Sequence, residues 1–154
     1  MSGDKLEIQV GEKAVSAIRT PPEGDARFTF VYAPGAGSNI NDPFGEYLSS
    51  RLPNAGGSLV RFQFPYMEAG KRGPDRAPLL EETWRAVIDK VRPSSGKLVV
   101  GGRSMGGRVA SRVVAQRTRV DGLALLAYPL NPPRTPATPR TAHLPDISAP
   151  PLFC

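Results

Sequence analysis

The stretch Gly102-Arg-Ser-Met-Gly106 decides how this chain is read, because it follows the apolar run Lys97-Leu-Val-Val100 and opens a segment of helical periodicity. Leu98, Val99 and Val100 suit a buried parallel strand, in which side chains pack on both faces of the sheet. Val109, Ala110, Val113 and Val114 recur at the three- and four-residue spacing of one helix face. Strand, sharp turn and helix are the context in which Gly-x-Ser-x-Gly becomes a nucleophile elbow. Small residues let the backbone turn tightly and leave the Ser104 hydroxyl at the top of a sheet. Two phosphate-binding readings fail on residue identity. A P-loop needs Lys and then Ser or Thr after its last glycine, where Gly107 and Arg108 stand; a dinucleotide fingerprint needs glycines at offsets zero, two and five, and none starts at Gly101 or Gly102. A purely structural strand-to-helix turn is the remaining alternative.

Working outward, Leu6–Val10 and Ala14–Ile18 read as two short strands joined at Gly11-Glu-Lys13, a hairpin pattern. Arg27–Ala33 is the next strand and runs into the small-residue loop Pro34-Gly-Ala-Gly-Ser38. Asn41-Asp-Pro43 is a helix start, with proline where no N–H is needed, so 44–52 is predicted helical. Ser58–Phe64 is predicted as a strand, 65–74 as an irregular excursion, and Pro78–Val91 as a helix with Leu79, Leu80, Trp84, Val87, Ile88 and Val91 on one face. Gly122–Ala127 reads as a further buried strand. The repeated strand-helix-strand order implies an α/β fold with a mostly parallel sheet and right-handed crossovers.

Eight of the 17 prolines fall between Pro129 and Pro151, which makes 129–150 a proline-rich connecting loop, since proline lends no N–H to a helix or ladder. Pro151-Leu-Phe-Cys154 reads as the start of another strand. The expectation is one α/β domain over 1–154 that lacks its last strands and closing helix, a fragment whose 123–127 strand is left as an unpaired edge.

Length bounds this to one core. No apolar run of 18 residues occurs, so no membrane span is expected. The start Met-Ser-Gly-Asp-Lys lacks a secretory signal, and the single cysteine, Cys154, fits a reducing, cytoplasmic compartment. The formal charge of +6 is dispersed from Lys5 to Arg140 without interleaved aromatics, which argues against a nucleic-acid partner. One His and one Cys make no metal site, and no cofactor fingerprint occurs.

Serine is a weak nucleophile, so Ser104 needs a base and an oxyanion hole. In elbow proteins one donor is the backbone N–H after the nucleophile, here Met105, and the other comes from the loop after the third strand. That loop is Gly35-Ala-Gly37, with Ala36 the first choice and Gly37 the next; a plain turn is the alternative. His143 is the sole histidine and thus the sole candidate imidazole base. It shares a loop with Asp146, in the order His then Asp, against the Ser, Asp, His order of elbow folds. Asp121 precedes its strand, at the sheet end away from the elbow. His143 is therefore a base or a loop residue contacting the surface or a substrate.

Tyr32-Ala-Pro-Gly-Ala-Gly37, Arg61-Phe-Gln-Phe-Pro-Tyr-Met-Glu68, Gly101-Gly-Arg-Ser-Met-Gly-Gly-Arg108 and Arg140-Thr-Ala-His-Leu144 together resemble the α/β-hydrolase-fold family. The likeness runs from about Phe28 onward. It is to the bacterial dienelactone-hydrolase-like branch, similar to testis-expressed protein thirty and to the hydrolase-like domain of the third subunit of the non-specific-lethal chromatin complex. The resemblance implies a three-layer sandwich with Ser104 as nucleophile, Met105 and Ala36 lining the oxyanion hole, and Tyr66 and Met67 near the pocket or packed in the core. It implies an acyl-transfer enzyme on a small ester-like substrate. Relatives usually continue into segments that supply the acid and the histidine, which this sequence lacks, and Pro34 stands where many have His. The expected state is therefore a serine hydrolase domain with impaired or no turnover; the alternative is a non-catalytic interaction module on the same scaffold.

Overall fold

Alternation along the first two strands buries Ile8, Val10, Val15 and Ala17 while their neighbours face outward, the signature of a hairpin with one face on a core. The computed structural model describes residues 3–132, 134 and 139–154. In it β1 (Asp4–Val10) and β2 (Lys13–Thr20) pair antiparallel, turning at Gly11, whose φ of 60° favours glycine. Then follow β3 (Phe28–Ala33), α1 (Pro43–Arg51), β4 (Gly57–Phe62), the one-turn α2 (Pro65–Glu68), α3 (Ala77–Val91), β5 (Lys97–Arg103), α4 (Met105–Ala115), β6 (Gly122–Leu126) and β7 (Pro151–Phe153). The sheet order is β1-β2-β4-β3-β5-β6-β7. β2 runs antiparallel to both neighbours, and every pairing from β4 to β7 is parallel.

Helices cover both faces, as the predicted α/β class requires. Val31, Ala33, Val60, Phe62, Val100, Leu123 and Leu125 form one core with Leu80, Trp84, Val87 and Ile88 of α3 and Val109, Ala110 and Val113 of α4. The intervening residues Phe30, Tyr32 and Leu59 face the other way and pack with Phe44, Leu48 and Leu52 of the α1 layer. Period-two alternation within the parallel strands thus divides the interior into two cores, giving three layers.

β4 and β6 each end earlier than the sequence reading, for local reasons. β4 ends at Phe62 because Phe64 is the extended residue that opens α2 ahead of Pro65, so the expected excursion contains a helical turn. β6 ends at Leu126 because Ala127 turns to φ 51°. The predicted unpaired edge at 123–127 is corrected: Leu123 pairs with Pro151, Ala124 with Leu152 and Leu125 with Phe153, so β7 forms the edge. In the proline-rich stretch, a single 3₁₀ turn, Leu144–Asp146, is the regular element among the described residues; positions 133 and 135–138 lie outside them.

Candidate active site

The strand order sets the location. β3 is central, β4 lies on one side of it and β5 on the other, so the chain changes direction of winding between β3 and β5. Crevices at the carboxyl ends of strands flanking such a switch point are where open α/β sheets bind ligands. Tyr32 pairs with Gly101 and Ala33 with Gly102, so the loop after β3 and the turn after β5 leave the sheet side by side.

Ser104 occupies that turn with φ 51° and ψ −117°, a sparsely populated conformation that costs on the order of 1–3 kcal/mol for a residue with a Cβ. The surroundings hold it there. Its N–H donates to the Leu126 carbonyl at 2.8 Å, and its carbonyl accepts from Arg108 N–H at 3.0 Å in the first turn of α4. A Cβ on Gly102 or Gly106 would drive into the Ala33 carbonyl oxygen, and one on Gly101 into that of Ala124. The glycines therefore bring the turn directly onto β3. On the far side, Trp84 Nε1–H donates to the Gly106 carbonyl at 3.1 Å and clamps α3 against the start of α4. The indole is fully buried.

Ser104 lies between two cavities. One, of about 320 Å³, is lined by Gly35, Ala36, Gly37, Ser38, Asp42 and Arg103. The other, of about 350 Å³, shares Ala36 and Ser104, is floored by Met105, and is flanked by Arg108, Arg112 and Arg140 as well as Asp75 and Glu81. Glu81 is engaged with Arg112 at 3.2 Å and Arg85 at 3.6 Å. Arg108 stands one turn beyond Ser104, and its buried Nε has no hydrogen-bond partner among the described residues. Burial, followed by the nearby Arg140, depresses its pKa.

The loop after β3 approaches Ser104 closely enough that a Cβ on Gly35 would sit 3.7 Å from the serine Cβ. Gly35 to Ser38 form a tight turn closed by Ser38 N–H to the Gly35 carbonyl at 3.1 Å. Among the described residues, the N–H groups of Ala36, Gly37 and Met105 donate to nothing, leaving three free backbone donors on residues that line the two cavities with Ser104. Met105 begins α4, where the first N–H groups have no intrahelical acceptor and the helix dipole favours negative charge.

Buried polar side chains anchor this loop. Tyr32 Oη donates to Asp42 at 2.8 Å, and Asp42 accepts from Gly45 N–H at 2.7 Å as the cap of α1. Burial first, then the Asp42 bond, raises the Tyr32 pKa far above the phenol range. Arg61 Nη1 donates to the Ile40 carbonyl at 3.0 Å and pairs with Glu46 at 3.0 Å, while Ile40 N–H donates to Gln63 Oε1 at 3.1 Å. Tyr66 Oη donates to the Ala36 carbonyl at 2.8 Å.

The other predicted residues sit elsewhere. Met67 packs on the main core. His143 Nε2 lies 2.7 Å from Ser111 Oγ, on α4 two turns beyond Ser104, so the lone imidazole is engaged away from the elbow. Ser111 is itself fully buried and donates to the Arg108 carbonyl at 2.6 Å. Asp121 accepts from Leu98 N–H at 2.8 Å, at the start of β5 and so at the opposite sheet end. Ser104 Oγ makes no hydrogen bond among the described residues. Sequence reasoning had missed the loop anchors Asp42, Arg61 and Gln63. The available signal was an arginine and a glutamine in an otherwise apolar strand segment.

Solved structures share this architecture. An alpha-beta serine hydrolase homologue from Coxiella burnetii superposes with a TM-score of 0.81 at 22% identity, covering 99% of this chain and 73% of that one. A serine hydrolase without a lid from Xanthomonas campestris gives 0.77 at 20%, covering 99% and 70%. A dienelactone hydrolase from Anabaena variabilis gives 0.76 at 19%, covering 99% and 73%. At these identities the likeness is one of fold. Residues 26–154 match the family model described as an alpha/beta hydrolase domain, and with the elbow, sheet order and layers above, the chain belongs to the alpha/beta hydrolase family.

Proposed function

We propose that this protein is a serine hydrolase of esterase or dienelactone-hydrolase type, with Ser104 as its nucleophile. The observation that carries the reading is the strained Ser104 turn opening on two cavities, whose lining includes three backbone N–H groups that have no acceptor among the described residues. Ser104 Oγ attacks a carbonyl carbon as a general base takes its proton; His143, held at Ser111, is not placed to be that base. The carbonyl π electrons move onto oxygen, where Met105 and Ala36 or Gly37 donate; collapse breaks the bond to the leaving oxygen, which takes the proton back from the base and departs as the alcohol, and water activated by that base then hydrolyses the acyl-enzyme. Each such donor is worth on the order of 3 kcal/mol of barrier. Arginines outnumber carboxylates around the larger cavity, which favours a small ester bearing a negative group.

The engagement of His143 with Ser111 favours a second reading, a non-catalytic interaction module on the same scaffold, as the suggested resemblance to the chromatin-complex subunit would have it. One experiment separates the two. Protein made from its natural coding sequence is treated with a fluorophosphonate, and the modified peptide is identified by mass spectrometry. Hydrolase function requires modification at Ser104 and none in Ser104→Ala. A folded protein that stays unmodified overturns the first reading in favour of the second.

A further inference from the structure

The Arg61–Glu68 segment, distinctive in the sequence, supplies no reacting group, yet nearly every polar side chain in it is spent on one task. Arg61 and Gln63 hold the two sides of Ile40, Tyr66 holds the Ala36 carbonyl, and Glu68 accepts from Ser16 N–H and so ties α2 to β2. Tyr66 lines neither cavity at Ser104; it borders a separate groove with Lys71, Asp75 and Leu79.

The geometry of a trans peptide turns that contact into a directional one, because N–H and C=O of one peptide unit point in opposite directions. The Gly35 carbonyl is held by Ser38 N–H, which fixes the direction of Ala36 N–H. The Ala36 carbonyl is held by Tyr66 Oη, which fixes Gly37 N–H pointing away from Tyr66, and Gly37 lines a cavity that Ser104 also lines. We propose that Tyr66 is a positioning residue that pre-orients the Ala36–Gly37 peptide so that the oxyanion donors are in place before substrate arrives. A donor that must reorient during reaction loses much of its value, since preorganisation is what makes such dipoles effective. Tyr66 is 3% exposed, and burial, reinforced by Asp75, pushes its hydroxyl up to about 12, so the donor persists across any working pH.

This inference rests on the hydrolase reading for its kinetic consequence and is tested by two measurements that fail separately. Tyr66→Phe should lower kcat for a 4-nitrophenyl ester roughly 10- to 100-fold, below the 10²- to 10³-fold of deleting a donor outright, with KM changed less than about twofold. A trifluoromethyl ketone, whose serine adduct carries the oxyanion, should lose affinity in parallel. Replacing Tyr66 by 4-aminophenylalanine restores a para N–H donor and should recover most of the loss, which a packing role would not. Independently of turnover, amide hydrogen exchange at Ser38, whose N–H closes the turn on the Gly35 carbonyl, should quicken in Tyr66→Phe. Unchanged exchange, or an intact kcat in an active protein, overturns the positioning role. Faster exchange in a protein that never modifies Ser104 upholds the brace and overturns the hydrolase reading. If Tyr66→Phe does not fold, failure of the 4-aminophenylalanine form to match wild type in exchange overturns the proposal as well.

Discussion

Gly106→Ala sets two effects of opposite sign against each other, and the structure decides between them. Position 106 lies in the first turn of α4, where alanine is ordinarily better than glycine by roughly 0.5–1 kcal/mol. Against this, a Cβ there would stand 2.5 Å from the Pro34 carbonyl oxygen and 2.7 Å from the Ala33 carbonyl carbon. Ordinary contact lies near 3.5–4.0 Å, so about 1 Å of movement is required. Neither neighbour yields easily, because Ala33 is paired with Gly102 in the middle of the sheet. Overpacking of this kind costs about 1–3 kcal/mol, and backbone atoms on two sides point to the upper end. The net expectation is a loss near 2 kcal/mol, or a fall in Tm of roughly 4–8 °C for a chain of this size. Gly37→Ala is the comparison. A Cβ at Gly37 meets nothing within 4 Å, so its stability should stay within about 0.5 kcal/mol of wild type. Urea and thermal unfolding followed by circular dichroism measure both. If Gly106→Ala is as stable as the parent, the elbow is not pressed onto β3 as described, and the explanation given for its glycines is wrong. Because relief of the clash must displace Pro34, the folded fraction should also modify Ser104 more slowly.

Two further outcomes follow from charge. His143 has its pKa lowered, chiefly by burial and then by Arg112, so the folded state binds its proton less readily than the unfolded chain. Stability from this source is complete above the unfolded value of about 6.5 and falls as pH drops toward the lowered folded value. Denaturant melts between pH 8 and 5 should lose stability on acidification, and His143→Gln should flatten that loss; an identical slope would remove His143 as its source. Arg108→Gln should lower kcat/KM for an ester bearing a carboxylate about tenfold more than for its neutral isostere, the size of one charge-assisted hydrogen bond. Equal losses on the two esters would show that the arginines serve packing alone.

The legible parts of the fold were those written in periodicity. The apolar stripes of α3 and α4 and the run before Ser104 had only one reading that buried them, and the structure buries them that way. Asn41-Asp-Pro43 announced α1 because Asp42 caps and proline starts. The one-turn α2 was hidden, since four residues carry no period. The pairing of Pro151–Phe153 with β6 was hidden for a different reason. A three-residue strand after a proline-rich loop is specified by its partner's open ladder, not by its own pattern. The position of Ser104 was legible because an elbow is local. The bracing of the loop after β3 was not, because it rests on a contact across 30 residues, from Tyr66 to Ala36.

That non-local part nevertheless left a trace of another kind. Arg61 is 4% exposed within a fully buried strand, its Nε lacks a partner among the described residues, and its Coulomb partner Glu46 is half exposed. As a stability device this is poor, since taking a guanidinium out of water costs several kcal/mol that a half-solvated carboxylate does not return. An aliphatic residue would fit the strand pattern better. The arginine makes sense only through what its other bond does, which is to hold Ile40 and so the far end of the loop whose near end lies against Ser104. The same holds for Tyr32 with Asp42, a buried phenol and carboxylate at the loop's base. Proteins break local rules chiefly where a site must be held still. Here the broken rules gather at the β3 loop, so the cost of burial falls on the element proposed to supply the oxyanion donors and not on the serine alone.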